Sequence, residues 1–209
     1  MKVLLSSTFF GPVQWYQKLY RAEEVLIEQC DSYQKQTYRN RCLIATTNGI
    51  QALTVPVSLE SGGGETSFRS NDKRILISDH GNWRHQHWQA LTSAYGDSPF
   101  FQYYEDDLRP FFTERWETLY NYNEAIRLKM CELLDIQPHV SLTSHYMTGM
   151  ELDGISDYRE TINPKHPAAD ADFQPRRYYQ VYERKHGFLP NLSILDLLFN
   201  MGPEGVFYL

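Results

Sequence analysis

Several features that would name a function class are missing from this chain or scarce in it. It has three cysteines, Cys30, Cys42 and Cys131, odd in number and widely spaced. That count gives neither a disulfide framework nor a zinc-type pair, and it fits a reducing, cytoplasmic compartment. No apolar run approaches the ~18–20 residues that a membrane-spanning helix needs. The opening Met1-Lys2-Val3-Leu4-Leu5 is the nearest approach to a signal peptide. It runs straight into Ser6, Ser7 and Thr8 with no small-x-small cleavage pattern, and reads as a first strand. Basic residues are in deficit, 20 Lys and Arg against 26 Asp and Glu, for a net charge of -6. That balance argues against broad binding to a nucleic-acid backbone, though a local basic cluster can still hold one small anion. The chain also lacks a GxGxxG or P-loop phosphate cradle, an HExxH zinc motif and a GxSxG nucleophile elbow.

Aromatic residues, by contrast, are plentiful: 15 Tyr, 11 Phe and 4 Trp in 209 residues. They combine large buried area with polar handles, so they suit a packed core and equally the recognition of planar or sugar-like ligands. At roughly 100–200 residues per domain, the length predicts one domain. It is long enough to bury a core without metals or disulfides.

Apolar Val3-Leu4-Leu5 and Val25-Leu26-Ile27 read as short buried strands. Between them, Val13, Trp15-Tyr16, Leu19-Tyr20 and Ala22 recur at helical spacing, which predicts a helix over 12–22 with Pro12 in its first turn. Strand, helix and strand make a βαβ opening, and the helix N-terminus at the strands' carboxyl ends is a common place for anions. Two β-rich runs flanking Asn48-Gly49, from Cys42 to Thr46 and from Ile50 to Val57, predict a hairpin. Ser61-Gly62-Gly63-Gly64 reads as a flexible connector and Arg74–Ser78 as a further strand. Asn82 is placed to cap a helix carrying Trp83, His87, Trp88, Leu91, Ala94 and Tyr95, closed by Gly96 and Pro99. Further helices are predicted over 105–112, interrupted by Pro110, over 114–135 and over 192–201. The residues from about 150 to 185 are poor in aliphatics and rich in Pro, Asp, Arg and Tyr, which reads as a lid or a mobile segment. The fold class is α/β: a single domain over 1–209 with a mostly parallel sheet opened by a βαβ unit, a β-hairpin addition and packed helices.

Two constellations can carry chemistry. Lys35, Arg39 and Arg41 lie within seven residues beside Gln34 and Asn40. Two guanidinium forks and an ammonium suit a phosphate or carboxylate, and in a strand Arg39 and Arg41 would share a face with Asn40 turned away. The structural alternative is a solvated basic turn. Asp196 lies among Ile194, Leu195, Leu197 and Leu198, where an unpaired carboxylate is costly. It must pair with a base, accept hydrogen bonds, or keep a raised pKa as a catalytic acid or base; a structural ion pair is the bland outcome. Ser193 and Asn200 fall near the same helical face. Tyr178, Tyr179 and Gln180, beside Arg176 and Arg177, form an aromatic-basic lid over a ligand or anchor a loop. His80, His85 and His87 cluster in sequence, but positions i and i+2 of a helix face apart, so no metal site is predicted. Cys30 and Cys42 have no base beside them and pack as small hydrophobes.

The blocks Phe10-Gly11-Pro12 with Trp15-Tyr16, then Ala22-Glu23, then Gln34-Lys35 through Tyr38-Arg39-Asn40-Arg41, resemble the N-terminal signature of the WbqC-like family. Asn48-Gly49 into Leu53–Val57, the Trp83…His87-Trp88…Tyr95 helix with Ser98–Phe101, and Tyr179–Tyr182 through Gly187–Pro203 resemble its later blocks; residues 137–175 fit least. The resemblance implies a setting in bacterial surface-polysaccharide and O-antigen gene clusters, with no settled catalytic assignment. It also puts the Gln34–Arg41 and Leu192–Asp196 blocks among the family's hallmark motifs. The expectation is therefore a cytoplasmic, acyl-type transferase acting on an activated sugar or amino sugar. Its substrate would be anionic, such as a nucleotide sugar or sugar phosphate, with no cofactor indicated. Lys35, Arg39, Asn40, Arg41, Gln34, Tyr179 and Gln180 would bind that substrate, and Asp196, as the catalytic residue, would orient a basic side chain or act as general base toward an amine or hydroxyl. The alternative is a non-catalytic ligand-binding or assembly subunit with a glycan-synthesis protein partner.

Overall fold

The computed structural model describes residues 1–59 and 75–209. In chain order the elements are β1 (Lys2–Ser6), α1 (Val13–Arg21), β2 (Glu24–Glu28), β3 (Arg41–Thr46), β4 (Gly49–Thr54), β5 (Val57–Leu59) and β6 (Ile75–Ile77). There follow α2 (Trp83–Tyr95), α3 (Phe101–Leu108), α4 (Leu119–Leu133), β7 (Val140–Leu142), β8 (Ile155–Asp157), α5 (Glu183–His186) and α6 (Ile194–Met201).

The sheet is α/β in the expected sense. Its four strands are all parallel, in the order β7-β2-β1-β8. Val3, Leu4, Leu5, Val25 and Ile27 have no exposure, the continuous apolar pattern of parallel strands covered on both faces. α1 links β1 to β2, with Pro12 as its N-cap in an extended conformation (φ -71, ψ 162) rather than inside the first turn.

The hairpin is the antiparallel pair β3–β4, with Thr46 opposite Gly49. Its two-residue turn is therefore Thr47-Asn48, one residue earlier than the Asn48-Gly49 signal suggests. Gly49 takes the positive φ of 104 that glycine alone adopts without strain. The second run does not continue to Val57, because Pro56 has no N–H to give a ladder. The chain breaks there, and β5 pairs instead with β6. The Ser61–Gly64 connector and Arg74 lie outside the described residues.

Among the helices, α4 is shorter than 114–135, and Thr118 caps it by accepting from the Asn121 N–H. At 1.5 Å per residue it spans about 22 Å. Predicted helix 105–112 is α3 followed by a 3₁₀ turn, Arg109–Phe112, with Pro110 at its start where its missing N–H costs nothing. Ser193 caps α6, whose first residue, Ile194, is two residues after the predicted start.

Much of the aromatic content is core. Phe10 stacks on Phe112 with centroids 5.7 Å apart, Phe9 on Tyr122 at 5.7 Å and Phe111 on Trp116 at 6.0 Å. β7 and β8 carry no clear sequence signal; each is three residues long with a serine at its centre. β8 places Ile155–Asp157 of the 150–185 stretch in the sheet, and Arg159, Asp170, Tyr178 and Gln180 make the polar contacts described below. Aliphatic content does not report that kind of anchoring.

Candidate functional site

β1 is central, its crossover leads to β2 on one side, and β8 lies on the other. The carboxyl ends of β1 and β8 therefore flank a topological switch point, where open parallel sheets commonly form their ligand crevice. A cavity of about 10 Å³ sits there, lined by Ser6 at the end of β1 and Thr8 after it, Tyr158 and Arg159 after β8, and the Thr37–Arg39 turn. It is room for about one water. Trp15 closes one wall, its Nε1 donating to the Ser6 carbonyl at 2.9 Å. Thr8 Oγ1 is buried there with no partner among the described residues. Gly11 leaves room for it, since a Cβ at that position would come within 2.5 Å of the Thr8 hydroxyl.

Buried charge surrounds this cavity. Glu28, the last residue of β2, has no exposure; it accepts from Arg159 Nη1 at 2.9 Å, from the Thr143 hydroxyl at 2.7 Å and from the Cys30 N–H at 2.8 Å. Arg159 also bonds Asp157 at 2.7 Å and the Met147 carbonyl at 3.0 Å, and its guanidinium lies 4.3 Å from the Tyr146 ring. Burial works against the Arg159 charge, but its bonds to Asp157 and the neighbouring negative charges outweigh that and raise its pKa. Arg39 is buried, pairs with Asp31 and donates to Ser6 Oγ at 3.0 Å. Asn123 joins the next residues by donating to Ser7 Oγ at 2.9 Å and to the Arg39 carbonyl at 2.8 Å. Behind them Lys18 pairs with Asp170 at 2.9 Å.

The α1 N-terminus, a natural anion seat, is already occupied by the chain itself. The Val13 N–H donates to the Leu192 carbonyl and the Gln14 N–H to Asn191 Oδ1, both at 2.9 Å.

Asp196 sits elsewhere, in the first turn of α6 with no exposure. It has no cationic partner among the described residues. Its oxygens accept from Tyr178 at 2.7 Å, Tyr95 at 2.8 Å and Gln180 at 2.9 Å. Burial pushes its pKa up from 3.8, and the three hydrogen bonds offset only part of that. Ser193 bonds the Phe10 carbonyl and Asn200 the Asp196 carbonyl, both at 2.8 Å, so the predicted polar stripe is used inside the fold.

The structure brings Gln180 to Asp196 and sends the basic block elsewhere. β3 begins at Arg41, so Arg39 lies in the preceding turn and the two arginines do not share a strand face. Arg41 is half-buried and bonds Thr54 at 3.2 Å; Asn40 is buried and donates to the Val55 carbonyl at 2.8 Å. Gln34 donates to Glu160 at 3.0 Å, Lys35 is exposed, and Tyr179 faces solvent. Of the histidines, His80 and His85 are exposed while His87 is buried. Burial lowers the His87 pKa to about 4. Burial also raises the Cys42 thiol to about 12 and Cys131 to about 11, which keeps both protonated and unreactive. Among the described residues no group of three or more His, Cys, Asp or Glu side chains is placed to hold a metal ion. Nor is any helix there long and apolar enough to cross a membrane.

A model of the WbqC-like protein family matches residues 7–166. The chain belongs to the WbqC-like protein family. The match takes in every residue lining the switch-point cavity except Ser6, together with Glu28 and Asp31, and ends before Tyr178, Gln180 and Asp196. This WbqC-like chain is also 28% identical over 210 residues to the uncharacterized protein Rv1507c of Mycobacterium tuberculosis, covering 90% of this chain and 87% of the relative. No solved structure matches it.

Sequence reasoning missed Glu28, Asp31 and Arg159. One signal was available for the first: an ionisable residue directly following the buried run Val25-Leu26-Ile27, at the carboxyl end of a parallel strand. Arg159 had none, because its strand is too short to be read.

Proposed function

We propose that this WbqC-like protein is a cytoplasmic group transferase of bacterial surface-polysaccharide synthesis, and that it holds the phosphate or carboxylate of an activated sugar or amino sugar at the β1/β8 switch point. The observation that carries the reading is that two arginines, Arg39 and Arg159, and three hydroxyl residues, Ser6, Thr8 and Thr37, line one small cavity. Fixed forks and hydroxyl donors are the chemistry that anions need. Asp31 and Glu28 hold the two forks in place. The surface-glycan setting and the acyl-type reaction rest on the family resemblance. Asp196, closed in by its three donors, has a positioning role in this reading: it fixes Tyr178 and Gln180.

The closure of the cavity and the pairing of its charges favour a second reading, a non-catalytic binding or assembly subunit. One experiment separates them: thermal shift of wild type and Thr8→Val with nucleotide sugars, sugar phosphates and acyl-coenzyme A, followed by a turnover assay on whatever binds. Ligand at 100 times its Kd adds ~2.7 kcal/mol. Thr8→Val keeps the shape and removes a hydroxyl that has no partner among the described residues, so the transferase reading expects an intact fold with a smaller ligand shift. Binding without turnover favours the subunit, and no shift with any anion sinks the anion site.

A further inference from the structure

A second cavity, of about 330 Å³, lies between the β3–β4 turn, α2 and α5. That volume is within the range of small-molecule sites, ~300–1,000 Å³. Its hydrogen-bonding walls are Thr46, Asn48 and Gln51 from the hairpin, Gln89 and Ser93 from α2, and the aromatic ring of Tyr182. No lining residue is charged, in a chain where 22% of residues are.

Side-chain amides and hydroxyls each donate and accept, which matches alternating hydroxyl groups. A phosphate or carboxylate would find no cation here. An amphipathic ring such as Tyr182 offers an apolar surface beside that polar set. The walls are cross-tied: the Tyr182 hydroxyl donates to the Ala94 carbonyl at 2.9 Å, His186 Nε2 bonds the Thr46 carbonyl at 3.1 Å, and Thr46 Oγ1 donates to the Gly49 carbonyl at 2.9 Å. Gln51 and Gln89 stand exposed, and among the described residues their side-chain amides bond to nothing in the protein. We propose that this groove is a binding site for an uncharged, hydroxyl-rich ligand, a neutral saccharide. The inference does not depend on the transferase reading, since the groove shares no lining residue with the switch-point cavity.

The test is nitrogen-15 amide shift mapping of the full chain, titrated with methyl glucoside, methyl galactoside, N-acetylglucosamine and maltose, on wild type and on Gln51→Leu/Gln89→Leu. Both substituted positions are exposed, so folding is preserved, and a melting curve checks it. The site predicts perturbed amides in the β3–β4 turn and along α2 with at least one of these sugars. In the double variant, binding weakens at least about tenfold, for the loss of two hydrogen-bonding amides. Absence of binding by all four sugars overturns the proposal. So does binding of equal strength in the folded double variant, or shifts confined to the Ser6–Thr8 and Tyr158–Asn163 loops.

Discussion

Glu28 and Asp196 are both carboxylates with no solvent exposure, yet the protein keeps them in different ways. Glu28, at the carboxyl end of the parallel sheet, is neutralised by a buried guanidinium 2.9 Å away and belongs to a chain of charged pairs. Asp196, in the apolar helix α6, is held by two phenols and an amide with no cation beside it among the described residues, and burial raises its pKa. Charge is concentrated where the sheet opens toward a ligand crevice, whereas neutral dipoles are used where the helix and the hairpin pack. The first region is sensitive to loss of a partner and the second to pH.

The largest expected effect breaks the charged region. Arg159→Met should cost ~3–5 kcal/mol, because it leaves Glu28 buried without its counter-charge. Glu28→Gln in the same chain should restore part of that loss. Urea unfolding of the two single variants and the double variant measures both, and a small loss in Arg159→Met would mean that Thr143 and Cys30 satisfy Glu28 unaided.

Asp196→Ala should cost about 3 kcal/mol by leaving two buried hydroxyls and an amide without their acceptor. Asp196→Asn sharpens the contrast through pH. A carboxyl whose folded pKa lies above its unfolded 3.8 adds stability that is full below that value and is lost as pH rises through the folded one. The stability of wild type relative to Asp196→Asn should therefore fall as pH is raised from about 3.8 and then level off. A difference that is flat with pH would remove the neutral-cage description.

His87 runs the other way. Its folded pKa, about 4, lies below the unfolded 6.5. The stability it contributes is present above 6.5 and is lost as pH falls through 4, up to ~3 kcal/mol. His87→Leu should flatten that acid limb in an unfolding series. The smallest effect is at Thr8. Thr8→Val removes a buried hydroxyl with no partner among the described residues and should raise stability by ~1 kcal/mol. A loss instead would show that the hydroxyl is bonded in solution.

The two regions were not equally legible in the sequence. Asp196 stands out because a carboxylate inside Ile194–Leu198 is a local contradiction between charge and burial. Even there, only tertiary structure could say that the answer is Tyr95 and Tyr178, 101 and 18 residues away, rather than a base. The basic block drew attention by its charge density, and of its three cationic residues Arg39 alone lines the switch-point cavity, because the turn before β3 directs it inward and leaves Lys35 at the surface. The site's other half depends on residues that are ordinary in their local context. Arg159 follows a three-residue strand, and its importance comes from β8 pairing with β1, a contact between residues more than 150 positions apart.

The sequence by itself determined the α/β class, the βαβ opening, the hairpin and most helices, because these follow from apolar periodicity, turn residues and caps within a short window of chain. It also determined that buried charge would need partners. Tertiary structure alone decided which partners, since an ion pair or a hydrogen bond is set by distance in space. It also decided where the sheet's edge strands fall, because three-residue strands are stabilised by the neighbour they pair with and hardly at all by their own residues.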